Sequence, residues 1–132
     1  MEIILKNLQK KIPLPRARVL KVVDTTLRKL RKKRDCCLSI VFVGPQRMRH
    51  LNKRYLRHDY LTDVLAFDLG EGLSEIIICP QVAYANAKRY KTSTEKELIL
   101  YVIHGILHLA GFDDHSAKDI AQMRQMEKKM LS

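Results

Sequence analysis

From Leu98 to Leu109 the chain is mostly apolar, and Leu98, Ile99, Val102, Ile103, Ile106, Leu107 and Leu109 cover most sides of a helical wheel. A helix apolar on nearly every side has no solvent face, so the rest of the chain must pack around it. Thr94-Glu-Lys-Glu97 matches the capping box S/T-x-x-E and predicts a start near Glu95. Gly111 is expected to end the helix as its C′ residue. Within this buried element stand His104 and His108, four residues and one turn apart on one face. Beyond the glycine follow Asp113, Asp114 and His115. Two ligands from a rigid turn and a third from the segment folding back past a glycine are an economical way to gather three metal ligands. Three ligands leave a coordination position for water. A pair of buried, hydrogen-bonded histidines is the competing reading of His104 and His108 alone. The cluster behind them argues for metal.

A chain of 132 residues with 46% apolar residues suits one compact domain, residues 1–132. No run of about 18 apolar residues is present, so no membrane-spanning helix is expected. The opening residues lack the ordered parts of a secretory signal, and a cytoplasmic location is expected. Cys36, Cys37 and Cys79 are odd in number, two of them are adjacent, and no CxxC occurs. They read as small apolar residues rather than a disulfide or a zinc site. The net charge of +11 is unevenly placed: residues 1–58 hold 17 Lys and Arg against three acidic residues, and residues 59–132 hold eight against 11. A solvated surface would interleave both signs, so the basic half is expected to face an anionic partner, with nucleic acid the most economical choice.

Along the chain, residues 2–6 read as a strand and residues 15–34 as a basic helix with Val19, Val22, Val23, Leu27 and Leu30 inward. Residues 37–43 read as a buried strand. A helix over residues 45–57 is expected to turn Met48, Leu51 and Tyr55 inward and Arg47, Arg49, Lys53, Arg54 and Arg57 elsewhere. Residues 62–67 and 75–79, separated by Gly70-Glu71-Gly72, read as two strands able to form a hairpin. A short helix over 81–90, with Val82, Ala85 and Tyr90 as contacts, precedes the apolar helix. A last helix over 117–130 carries Ile120, Met123, Met126 and Met130. The whole predicts an α+β domain, a small mixed sheet packed with helices around a central buried helix that bears the metal ligands.

These residues resemble the YbeY family of metal-dependent endoribonucleases. His104-Gly-x-Leu-His108-Leu-x-Gly111-Phe-Asp113 is similar to the family signature HGxLHLxGYDH. Thr62-Asp63-Val-Leu-Ala-Phe67 is similar to its TDVLSF, with Leu51-Asn52…Tyr55 before and Glu75-Ile-Ile-Ile-Cys79 after in the family's order. The resemblance implies one zinc ion, cleavage of single-stranded RNA, and a role in ribosomal RNA 3′-end maturation and quality control at the small ribosomal subunit. It implies three histidine ligands, the third six positions after the second, where this chain has Asp114 and places His115 one residue later. Met123 and Glu127 keep the family's register, which favours Asp114; a one-residue bulge would bring in His115. A carboxylate is a sound zinc ligand and would make a metal-bound water less acidic. The family's functional arginine follows its tyrosine directly. Here Leu56 follows Tyr55, and the arginine comes at 57, rotated by about 100° on a helix. Ala66 stands where the family has serine.

The expected roles follow. His104, His108 and Asp114 or His115 hold zinc, Asp113 orients a ligand, and Arg57 with Lys53 or Arg54 clamps phosphate, while the basic first helix tracks RNA. His50 and His58 read as surface residues, and Asp63 as a cap or an orienting group. An HExxH peptidase needs a glutamate after its first histidine, and here that residue is Gly105. The competing functions are a non-catalytic RNA-binding assembly factor with a structural metal and, behind it, a metal-dependent amide hydrolase. Oligomeric state is not legible.

Overall fold

A computed structural model describes residues 2–30, 37–56, 64–112 and 116–131. Among the described residues nine elements follow in order: β1 (Glu2–Asn7), α1 (Arg16–Lys29), β2 (Cys37–Phe42), α2 (Pro45–Leu56), β3 (Val64–Gly70), β4 (Leu73–Ile78), α3 (Pro80–Arg89), α4 (Thr94–Leu109) and α5 (Ala117–Leu131). The strands form one mixed sheet in the order β1-β2-β4-β3. β1, β2 and β4 are parallel, aligned through Leu5, Ile40 and Ile76, and β3 runs antiparallel to β4 as the hairpin partner expected from the sequence. Glu71 and Gly72, the two turn residues, both have positive φ (53° and 77°). That geometry matches the right-handed twist of the strands it joins.

Strand side chains alternate between the two faces of the sheet, and the sequence of β2 supplies apolar groups to both. Leu38, Ile40 and Phe42, with Ile76 and Ile78 of β4, join a core built with α1, α4 and α5. Val41 and Val43, with Ile77 and Leu65, join a smaller core closed by Met48 and Leu51 of α2. The helix that sequence predicts to be buried all round is α4: Leu98, Ile99, Tyr101, Val102, Ile103, Gly105, Ile106 and Leu107 are all buried. It crosses the sheet closely because Gly105 has no side chain. A Cβ there would come within 2.8 Å of Ile76 Cγ2.

Three local expectations shift. Tyr55 does not turn inward but is 54% exposed, and Asn52, one turn earlier, is the buried residue instead. Tyr55 lies in the last turn of α2, where its ring rests on Phe67 with centroids 5.3 Å apart. On α3 the inward face is Pro80, Ala83 and Ala87, and Ala85 and Tyr90 point to solvent. The helix begins at Pro80, which turns its small residues toward α4. The N-cap of α4 is Ser93 rather than Thr94: its Oγ accepts from the Lys96 amide at 3.1 Å. Ser93 is in the extended conformation an N-cap needs, which leaves Thr94 as the first helical residue.

Candidate metal centre

The C-terminus of α4 closes as a Schellman motif. The Phe112 amide donates to Leu107 O at 3.0 Å and the Gly111 amide to His108 O at 3.1 Å, with Gly111 at φ +99°. The helix therefore ends at Gly111, the C′ residue expected from the sequence. Phe112 packs against the main core and fixes the exit of that turn.

His104 and His108 are half-buried, and their Nε2 atoms are 2.9 Å apart. The rings meet edge to face, with centroids 4.5 Å apart and planes at 77°. Two imidazole nitrogens bound to one tetrahedral zinc stand roughly 3.3 Å apart, given Zn–N bonds of about 2.0–2.1 Å. The separation is thus within a few tenths of an ångström of a chelating pair, and binding an ion would also require the nitrogen that donates in this contact to give up its proton. On the far side of His104, Nδ1 lies 3.6 Å from Glu127 Oε2 of α5. This contact is longer than a formed hydrogen bond. It still favours the tautomer with the proton on Nδ1, which leaves the Nε2 lone pair facing His108. A carboxylate behind a ligating imidazole is the usual orienting arrangement of metal sites.

Glu127 is the residue the sequence reading missed in this role. It served there only to mark register. Its available signal was its place four residues after Met123, which is buried in the main core. The i, i+4 spacing puts Glu127 on the side of α5 that faces α4.

Asp113, Asp114 and His115 lie outside the described residues, as do Arg57, His58, Thr62 and Asp63. Among the described residues no group of three potential ligands is assembled. Lys53 and Arg54 lie in the last turn of α2, both exposed, with the Arg54 guanidinium 5.5 Å from the Tyr55 ring centroid. His50 is exposed on the same helix. Cys79 is buried at the N-cap of α3, and burial pushes its thiol above the ordinary value, against smaller opposing contributions from the Val82 and Gln81 backbone. It behaves as a neutral apolar residue. Cys37 is half-buried in β2.

Gly105 faces Ile76, so a glutamate at this position would be driven into the sheet instead of toward the imidazoles. Fold and site together define a small α+β domain whose central helix presents a convergent histidine pair beside a carboxylate. The chain belongs to the YbeY family: residues 4–132 match the family described as Endoribonuclease YbeY. A protein of that name from Chlorobium luteolum is 39% identical over 97 residues, 71% of each chain. One from Chlorobium phaeovibrioides is 36% identical over 121 residues, 89% of this chain and 81% of that one. One from Thermotoga neapolitana is 43% identical over 94 residues, 70% of this chain and 62% of its own length. A solution structure of a Thermotoga maritima protein superposes with a TM-score of 0.66 at 30% identity, covering 98% of this chain and 86% of that one.

Proposed function

We propose that this chain forms a single endoribonuclease domain over residues 1–132, a hydrolase that cleaves phosphodiester bonds of single-stranded RNA in ribosomal RNA processing. Family membership supports the reaction class. The observation that carries the site is the 2.9 Å approach of the His104 and His108 Nε2 atoms with Glu127 behind one of them. This donor set suits a divalent ion that accepts nitrogen ligands, and zinc is our assignment. His104 and His108 would hold it, with Asp114 or His115 as the third ligand. When bound, the ion supplies Lewis acidity to polarise a phosphoryl oxygen or activate water.

The protein's own side chains do the rest. Glu127 holds the His104 ring in the tautomer that aims its lone pair at the site. Gly105 lets α4 sit deep in the sheet, so the imidazoles are borne on a rigid, fully packed element. Arg57, with Lys53 or Arg54, neutralises the charge that grows on the phosphate oxygens. An amide hydrolase would lack its base, because position 105 points at Ile76. Among the described residues no helix is long and apolar enough to cross a membrane. A cytoplasmic protein working on ribosomal RNA of the small subunit fits these features.

The test replaces His104 and His108 singly with Ala. Zinc content should fall from one ion per chain toward zero, and cleavage of a single-stranded ribosomal RNA 3′ segment should be lost in parallel. Full cleavage by a metal-free variant would remove the catalytic role. Zinc binding that stays intact in a parent protein unable to cleave RNA would favour the non-catalytic assembly factor.

A further inference from the structure

The loop after β1 and the start of α2 enclose an open cavity of about 630 Å³, away from the histidine pair. Lys11, Arg47 and His50 line it together with Gln9, Gln46 and Gln81, and no carboxylate does. The loop is held in place. The Leu8 amide donates to Phe42 O at 2.8 Å, tying the loop to the end of β2. The Gln9 side chain, itself buried, donates through Nε2 to Asn7 Oδ1 and Ile12 O at 2.9 Å each and accepts from the Ile12 amide at 2.9 Å. Lys10 and Lys11 therefore stand at the tip of a clasped turn, both exposed.

The cations of the two basic helices are used differently. On α1, Arg18 pairs with Glu95 at 3.1 Å, Arg28 with Asp24 at 2.9 Å, and Lys29 Nζ donates to Lys129 O at 2.7 Å. On α2 there is no Asp or Glu at all. Among the described residues no carboxylate pairs with Arg47, Arg49, Lys53 or Lys11. A concave cluster of cations with no paired carboxylate among the described residues is complementary to a polyanion, and several solvated phosphates in a row would satisfy it best. The row leads somewhere. From the cavity α2 carries Arg49, Lys53 and Arg54 to Tyr55, which rests on Phe67 of the edge strand β3. α4, the helix of the histidine pair, packs against the same strand.

We propose that the cavity between the residue 8–11 loop and the first turns of α2 is a phosphate subsite for the backbone of single-stranded RNA. α2 carries the strand from it toward the β3 edge. This inference rests on the nuclease reading above for the nature of the polyanion. Lys11 and Arg47 neutralise backbone phosphates, Gln46 and Gln81 offer neutral donors, and no base-specific contact is implied.

The test compares K11Q/R47Q with K88Q/R89Q, which removes equal charge from the last turn of α3. Binding of a labelled 24-nucleotide single-stranded RNA is followed by fluorescence anisotropy over a salt series, with RNA length checked on a gel after each titration. Each phosphate neutralised on a single strand contributes about 0.7 to the log–log salt slope, so K11Q/R47Q should lower the slope by about 1.4 and weaken binding by about tenfold. K88Q/R89Q should weaken it less than about twofold. Equal loss in the two variants, or none in K11Q/R47Q, overturns the subsite. So does an intact RNA affinity accompanied by lost binding to vesicles of anionic phospholipid. The two readings fail separately. Cleavage lost in H104A with the K11Q/R47Q slope unchanged overturns the subsite and leaves the nuclease centre standing. A lowered slope with H104A still cleaving supports the subsite and overturns the centre.

Discussion

On one face of the sheet α4 lies enclosed by α1, α3, α5 and the strands, with almost no side chain left in water. On the other face α2 commits Met48, Leu51 and Asn52 to the protein and leaves Arg47, Arg49, Lys53 and Arg54 exposed. Both helices carry residues we assign to function, but under different constraints. The α4 histidines inherit their position from packing on nearly every side, which is what convergent ligands require. The α2 cations need only be numerous and exposed, because phosphate attraction tolerates loose geometry. Rigid chemistry sits on the buried helix and adaptable attraction on the exposed one.

Substitutions sharpen this contrast, beginning with the largest effect. Gly105→Glu forces a carboxylate against Ile76 and should cost more than about 4 kcal/mol, seen as loss of a cooperative urea transition. A folded G105E protein would show that α4 is less tightly seated than we describe. Met48→Ala tests whether α2 is docked as firmly as its small core implies. It should cost about 2–5 kcal/mol in the same measurement, and a cost below about 1 would mark α2 as loosely held. Glu127→Gln should weaken zinc binding by about 10–100-fold in competition with a chelating dye, with stability nearly unchanged. An unaltered zinc affinity would reduce the 3.6 Å contact to a surface ion pair. Gly111→Ala places a Cβ on a residue at φ +99° and should cost about 1–2 kcal/mol in thermal unfolding. Arg49→Gln, on the exposed side of α2, should stay within about 0.5 kcal/mol of the parent. A larger loss would mean this row of cations has a structural task.

Much of the α4 region was legible beforehand, because periodicity and punctuation report local geometry. The four-residue spacing puts His104 and His108 on one face whatever surrounds them, and a glycine after an apolar helix ends it. Sequence places the cap one residue late because Ser93 and Thr94 both carry a hydroxyl. The choice between them is made by which one adopts the extended backbone. Helical spacing predicts Tyr55 inward because it gives no sign of where the sheet beneath a helix stops. The unequal use of the basic helices was not legible either. α1 and α2 are similarly cationic in sequence, but the acidic and carbonyl partners of α1 include Glu95 and Lys129, far along the chain.

The sequence by itself determined the elements that depend on neighbours a few residues apart: a central apolar helix, the paired histidines on one of its turns, the glycine behind them, the hairpin and the basic first half. Only the tertiary structure decided which groups from distant segments meet. It put Glu127 behind His104, Ile76 beneath Gly105, and Lys11 and Arg47 around one cavity. Local patterns follow from bond geometry and helix period, whereas these meetings depend on how helices stack against a shared sheet.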